Sequence, residues 1–555
     1  MSTESAKAPI EGSDVHAVPA GVLQLHADDD LLVALVDLQA GATVHWGLGQ
    51  RLRLTTPVAR KHKLAVRDCA AGEVLRLYGI PVGRASVDIA AGSAITTANL
   101  VHYAAPAQLP QQPSVPAWTA PDVQRWQGAT FDGVVRADGR VGTANHWLIF
   151  PLVFCENRNV ELLREALVRP LGYGEEDDLA DFTRSLLGHA AQRPADHSAR
   201  PFPNLDGVRV ITHAGGCGGT RADARALCDL LAAYADHPNV AGVTVLSLGC
   251  QNAQVSLFRA ALAARNPGFD KPCLVYEQQN YPGGETALLQ NAIRDTLAQL
   301  AVANTVRRQP VPLSHLRIGV KCGGSDGFSG ITANPVLGLV SDRVVALGGA
   351  ALLSEFPELC GVESALLARC VHAHDAARFL QLMQAFEARV QAAGSRFADN
   401  PSPGNIRDGL ITDAMKSAGA ARKGGSSPIV AVCDYTEPAA PAGLSLLCAP
   451  GNDVESVTAL VGSGANLVLF TTGLGTPTGN PIAPVLKVSS NTELATRQSG
   501  VIDFDCGAIL HGASPQALAE DLLQRIIDTA SGRMPTQADR LGQHDFLFWK
   551  RDPSL

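Results

Sequence analysis

At 555 residues the chain is too long for one core, and 46% hydrophobic with 18% charged residues describes a folded globular protein rather than a disordered one. A net charge of −8 argues against nucleic-acid or anionic-membrane partners, so any cations that bind an anionic ligand must be local. The most apolar windows, such as Ile429–Cys433 and 466–472, fall well short of the roughly 20 residues that span a bilayer, and no targeting segment is read at the N-terminus. A cytoplasmic location is expected, where twelve cysteines are buried, metal-bound or reactive rather than paired.

In chain order, residues 1–21 are polar and acidic and read as a disordered lead-in. From 22 to 104 short apolar runs alternate with Gly-Ala or Ala-Gly turns, the pattern of a small β-rich domain. Residues 105–126 carry five prolines and read as an extended linker. Beyond it, apolar β-branched runs lead repeatedly through Gly-rich turns into helical periodicity: HWLIFPLVF, GVRVITHAGGCGG, NVAGVTVLSLGCQN, LRIGVKCGGSDGFSG and DRVVALGGAALLSE, then SPIVAVCD, GLSLLCAP and ANLVLFTTG. This rhythm indicates parallel sheets covered on both faces. The fold class expected is α/β and multidomain, with a small β-rich domain ahead of a large, mostly parallel α/β region divided into 127–312 and 313–555. Residues 175–204, rich in Asp, Pro and His, read as an exposed insertion.

Four cysteines stand where such strands end: Cys155, Cys217, Cys250 and Cys322. Ligands of open parallel sheets bind beyond the carboxyl ends of the strands, and glycines beside three of these cysteines let backbone approach closely. Thiolates gathered near helix N-termini suit a soft metal such as iron, as a single ferrous ion or an iron–sulfur cluster. Cys228, in a helical pattern, and Cys433 and Cys448, in strands, read as core.

The run GVKCGGSDGFSGITANPVLGLVSD (319–342) resembles the altronate and galactarate dehydratases, as do ADNPSPGN (398–405), LCAPGNDVES (447–456), LFTTGLGTPTGNPIAPVLKVSSNTELA (469–495) and VIDFDCGAILHG (501–512). The resemblance extends to LHADDDLLVALVDLQAG and ARKHKLAVRDCAAGEVLRLYGIPVG, which look like the family's SAF domain, so it covers nearly the whole chain. It implies an iron-associated hydro-lyase that removes water from a sugar acid to give a 2-keto-3-deoxy acid. It also implies polar site positions in the N-terminal domain, His26 with Asp28 or Asp29, and His62 with Lys63; a histidine is suited to proton transfer near neutral pH. In the C-terminal region, Ser325, Asp326, Asn334 and Asn405 offer hydrogen bonds to a polyhydroxylated substrate, with Thr476 of the 473–479 loop. Glu355, just past a strand, is a candidate acid or base.

The chain departs from the family's motifs in three places. Gln251 follows Cys250 where the family usually has Glu, Leu474 and Thr478 stand where it has Arg and Tyr, and Gly215-Gly216 precedes Cys217 in place of the usual Tyr-Gly pair. Losing an Arg removes a bidentate carboxylate clamp, for which Arg221 is a replacement candidate. The expectation is shared chemistry on a different acid. The alternatives are a sulfo-lyase acting on a sulfolactate-type anion, and a sugar-acid-binding protein without activity. A small-molecule substrate is expected, with no nucleic acid and no membrane; a homo-oligomer is left open.

Overall fold

The computed structural model describes residues 21–109, 117–174, 178–188 and 200–555. The disordered lead-in expected for 1–21 lies almost wholly outside these residues, as does part of the linker. The linker's far end is ordered: a short turn, Gln124–Trp126, buries Trp126, whose indole N–H donates to Glu520 at 2.6 Å.

The N-terminal domain is built from short antiparallel strands. Val22–Leu23, Leu31–Ala34 and Lys63–Ala65 form one sheet, Thr43–Trp46 and Gln50–Arg53 a hairpin, and Val74–Leu77, Ile80–Ala85 and Leu100–Val101 another sheet. Leu31–Ala34 and Lys63–Ala65 are buried at every position, so Lys63 enters the interior as part of a strand.

Next, Thr130–Val135 pairs antiparallel with Val141–Gly142 and Arg308–Pro312. Two parallel sheets follow. The first has four strands in the order Gly207–Val210, His146–Pro151, Val240–Ser247, Cys273–Glu277. The second has seven: Ile429–Cys433, Gly443–Leu447, Ala350–Leu353, Arg317–Cys322, Leu467–Thr472, Val485–Ser489 and Phe504–Asp505. Their central strands are buried along their whole length, which is what continuous apolar runs predict for parallel sheets covered by helices. The amino ends of the two sheets are joined through Asn239, which accepts from Thr143 N at 2.8 Å and donates to Ile482 O at 2.8 Å.

Two expectations need correction. Asp342–Ala346 of the DRVVALGG run finishes the helix Ala333–Ala346, and the strand is only Ala350–Leu353: the apolar face of the helix and the strand run together in sequence, and periodicity does not divide them. Within the stretch read as an exposed insertion or loop, Asp178–Leu186 is a helix rather than loop, with its described side chains exposed or half-buried. Among the described residues no helix is long and apolar enough to cross a membrane.

Both parallel sheets share one topology, and it locates the sites. In each, the chain lays down a strand, builds on one side of it (one strand in the first sheet, three in the second), then crosses back to the other side. The first strand therefore lies at the point where strand order reverses, and the crevice past its carboxyl end is where such sheets bind ligands. In the first sheet that strand is His146–Pro151; in the second it is Arg317–Cys322.

Candidate active site

The four strand-end cysteines divide three to one between these two crevices. Cys155 follows the central strand of the first sheet, and Cys217 and Cys250 follow its two flanking strands. The three loops are tied by backbone bonds from Phe154 N to Gly215 O at 3.0 Å and from Asn252 N to Gly216 O at 2.9 Å. Gly216 is required for the close approach: it has φ +96°, and a Cβ there would lie 2.2 Å from Leu152 O. All three thiols are exposed, and a cavity of about 250 Å3 beside Cys217 is lined by Thr220, Asn252 and Lys550. His213 braces the arrangement, its ring in contact with Pro151 O at 2.8 Å while its Nδ1 accepts from Gly215 N at 3.1 Å. Burial pushes this imidazole down to about 4, so it stays neutral.

Gln251 also has a structural role. It accepts from Gly249 N at 2.7 Å and donates to Ser247 Oγ at 2.7 Å and Ala253 O at 3.2 Å, pinning the loop that carries Cys250. Arg221 is exposed at the start of the helix Arg221–Asp236. Cys228 and Cys433 are buried in their helix and strand as expected; Cys448 is buried but lies one residue past its strand.

Cys322 has a different environment, which corrects its grouping with the other three. It is the last residue of its strand and fully buried. Lys423 Nζ donates to its Sγ at 2.7 Å and to Glu355 Oε2 at 2.7 Å. The thiol donates to Glu358 Oε2 at 3.3 Å, and its backbone N–H donates to Glu355 at 3.2 Å. Lys321 bonds Glu355 from the other side and reaches Asp453 at 3.1 Å, while Lys416 pairs with Glu358 at 2.8 Å. Glu355 sits at φ +71°, a left-handed conformation that costs a residue with a side chain about 1–2 kcal/mol, and these donors hold it there.

Three ammonium groups thus face three carboxylates, and the charges balance with the thiol protonated. Burial and Glu355 push the Cys322 thiol up to about 12 against the pull of Lys423. Burial opposes ionisation of Glu358 too, but Lys416, Lys321 and Lys423 outweigh it and bring that carboxyl down to about 2. Ligand atoms of Cys322, Glu355 and Glu358 lie within 4.8 Å of one another, a spacing that would admit a metal ion. A dication there would, however, meet ammonium groups already bonded to the same atoms, so this centre suits proton handling better than metal binding. Cys155, Cys217 and Cys250 are exposed thiols of the soft type that iron takes, but among the described residues only the ligand atoms of Cys322, Glu355 and Glu358 lie close enough together to share one ion.

The loop after Cys322 meets the N-terminal domain. Lys61 Nζ pairs with Asp326 at 3.0 Å and Asp408 at 2.7 Å, His62 Nε2 lies 3.0 Å from Arg407 O, and Lys63 Nζ donates to Gly409 O at 2.6 Å and Lys61 O at 3.0 Å. Burial, aided by Lys61 and opposed by Asp326, lowers Lys63 to about 7. His26 stays half-exposed on the same domain: its ring Nδ1 accepts from Asp28 N, its backbone N–H donates to Asp29, and its ring packs on Gly79.

Three of the substrate candidates make hydrogen bonds within the protein. Asn334 donates to Gly419 O at 3.0 Å and accepts from Thr471 Oγ1 at 2.7 Å. Asn405 donates to Ser325 O at 2.8 Å and accepts from Ser402 N at 3.0 Å. Asp326 accepts from Ser329, Ser490 and Lys61 and anchors the loop. Ser325 differs: its Oγ is buried with no hydrogen-bond partner among the described residues. Thr476 and Leu474 lie against its neighbour Gly324, where a Cβ would be 2.9 Å from Thr476 Oγ1 and 3.2 Å from Leu474 Cβ. Sequence reading passed over Lys61, Lys321, Glu358, Lys416 and Lys423. Lysine within the apolar run RIGVKC was the available signal for Lys321; Lys423, in a polar stretch, gave none.

A buried charge network lies at one switch point, three exposed thiols follow adjacent strands at the other, and a β domain packs against the loop of the first, in a multidomain α/β protein. Models of three family domains match the chain: the "Altronate/galactarate dehydratase SAF domain" at 20–103, the "D-galactarate dehydratase/Altronate hydrolase, second domain" at 133–304, and the "D-galactarate/Altronate dehydratase, C-terminal" domain at 313–554. Altronate dehydratase of Escherichia coli (strain K12) is 34% identical over 517 residues, covering 92% of this chain and 95% of that protein. The Bacillus subtilis (strain 168) altronate dehydratase is 33% identical over 513 residues, 92% and 95% of the two chains. Galactarate dehydratase (L-threo-forming) of E. coli is 30% identical over 536 residues, 95% of each. The chain belongs to the altronate/galactarate dehydratase family and is a hydro-lyase of that type.

Proposed function

We propose that the enzyme dehydrates an aldonate or aldarate related to altronate, giving a 2-keto-3-deoxy acid, in the crevice past Arg317–Cys322. The observation that carries this reading is the buried Lys321–Cys322–Glu355–Lys423 centre beside a loop whose Ser325 hydroxyl is unpartnered. Elimination needs a base for the proton next to the carboxylate and an acid for the departing hydroxyl. Lys63, lowered to about 7, is part neutral near neutral pH; with two N–H bonds given to carbonyls, the neutral amine keeps its lone pair for the proton. Glu355 and Lys423, already sharing hydrogen bonds with Cys322, form the proton relay on the other side of the loop. Ser325 and Thr476 orient substrate hydroxyls.

Cys155, Cys217 and Cys250 would hold iron, as a single ion or a cluster, which when bound supplies a Lewis acid. The natural acid differs from altronate, because Leu474 lies beside Gly324 where the family carries an Arg. Anaerobically purified enzyme with its iron should form keto-deoxy product from a sugar acid in a panel of aldonates and aldarates, with altronate turned over poorly. Sulfite release from sulfolactate, or tight binding of a sugar acid without turnover, would overturn the assignment; efficient altronate turnover would overturn the substrate difference.

A further inference from the structure

The lysines around the crevice past Arg317–Cys322 are committed to partners in the protein. Lys321, Lys416 and Lys423 face carboxylates, Lys61 lies between Asp326 and Asp408, and Lys63 donates to two carbonyls. The backbone donors of the 473–479 loop are taken as well. The N–H groups of Leu474, Gly475 and Thr476 all donate to Thr472 Oγ1, at 3.3, 2.8 and 3.2 Å. Little of this donor capacity remains for the carboxylate of a substrate.

Arg407 differs. It ends the helix Pro403–Arg407, is exposed, and its guanidinium faces no carboxylate among the described residues. Helical side chains lean toward the amino end of their helix. Here that carries Nη2 back over Gly404, where a Cβ would lie 3.8 Å from it and 3.8 Å from Leu474 Cδ1. Leu474 in turn lies against Gly324, next to the unpartnered Ser325 hydroxyl, and Asn405 of the same helix donates to Ser325 O at 2.8 Å. The guanidinium therefore stands at the mouth of the crevice, on the side of the Ser325 loop.

Depth separates the two ends of a substrate. Lys63, Glu355 and Lys423 are at most 1% exposed, so the carbons that lose a proton and a hydroxyl lie inside, whereas Leu474, 38% exposed, and Arg407 form the rim. A sugar acid with its reacting end at that depth leads its far end to the rim. A primary hydroxyl there makes poor use of an unpaired guanidinium, but a second carboxylate accepts two parallel N–H bonds from it. We propose that Arg407 binds the far carboxylate of the substrate, and that the enzyme takes a dicarboxylic sugar acid, an aldarate, in preference to an aldonate. This rests on the reading of the crevice as the dehydratase site and adds the residue that selects the second end of the substrate.

Steady-state rates of the enzyme with its native metal test this, on aldarate and aldonate pairs of matched stereochemistry, for the parent, Arg407→Met and Arg407→Lys. The parent should have the higher kcat/KM on the aldarate. Arg407→Met should raise KM for the aldarate about 10- to 100-fold with kcat within about twofold, because ground and transition states share the lost bond. On the aldonate its constants should move less than about threefold. Arg407→Lys, which keeps the charge without the fork, should recover part of the loss. Circular dichroism checks that the exposed substitution leaves the fold intact. An aldonate preference in the parent, an unchanged aldarate KM in Arg407→Met, or an equal loss on both acids overturns the assignment and leaves the dehydratase reading standing. If no sugar acid is turned over, the dehydratase reading falls by itself, and titration calorimetry with the aldarate decides for Arg407. Weaker binding to Arg407→Met than to the parent then upholds the clamp, and equal or absent binding removes it.

Discussion

Lys423 and Glu355 form a pair with about 1% of either side chain exposed, and each is also bonded to Cys322. Removing one member of a buried charge network leaves the others uncompensated, at about 3–5 kcal/mol. Lys423→Met should therefore melt well below the parent in a thermal scan; an unchanged melt would show that the network is not held together by charge. Lys63 predicts a pH effect. Its folded value of about 7 lies below the ordinary 10.5, so between those values the unfolded chain binds the proton that the folded one releases. Stability from this group is lowest below pH 7 and rises with pH through the window, by up to about 5 kcal/mol. Lys63→Met should flatten the rise from pH 7 to 10 in denaturant titrations, and a parent curve falling over that range would contradict the assignment.

At the scale of elements, the turn before Lys63–Ala65 fits against two glycine-bearing loops. A Cβ on Gly327 would lie 2.3 Å from Lys61 O, and one on Gly409 would meet the same oxygen at 2.3 Å. Gly327→Ala should lift this turn while leaving every strand intact. Because a displacement of about 1 Å can cost about 100-fold in rate, kcat/KM should fall to that order with circular dichroism unchanged. A rate within a factor of about two of the parent would remove the N-terminal domain from the chemistry. The alternation of apolar runs and Gly turns made both the β domain and the strands of the parallel sheets legible. Helix Ala333–Ala346 was misdivided because an apolar helix face and the following strand, Ala350–Leu353, present one uninterrupted run.

For the whole molecule, the two parallel sheets present two switch points with different chemistry: exposed thiols at one, balanced buried charge at the other. Cys217→Ser should lose iron on purification, whereas Cys322→Ser should keep it and lose turnover, as read by metal analysis beside product formation. The reverse pattern would exchange the two roles.

By itself the sequence determined the alternation of strands and helices, the family, and the cysteines that follow strands, because hydrophobic period and Gly-rich turns are local properties. Only the tertiary structure decided that three of those cysteines share a crevice while the fourth is buried against Lys423. Strand order within a sheet is not local, and neither is the pairing of a lysine at 423 with a thiol at 322. It likewise decided that Asn334 and Asn405 brace the protein and that Lys63 is an interior amine, since burial and partners are settled by segments hundreds of residues away.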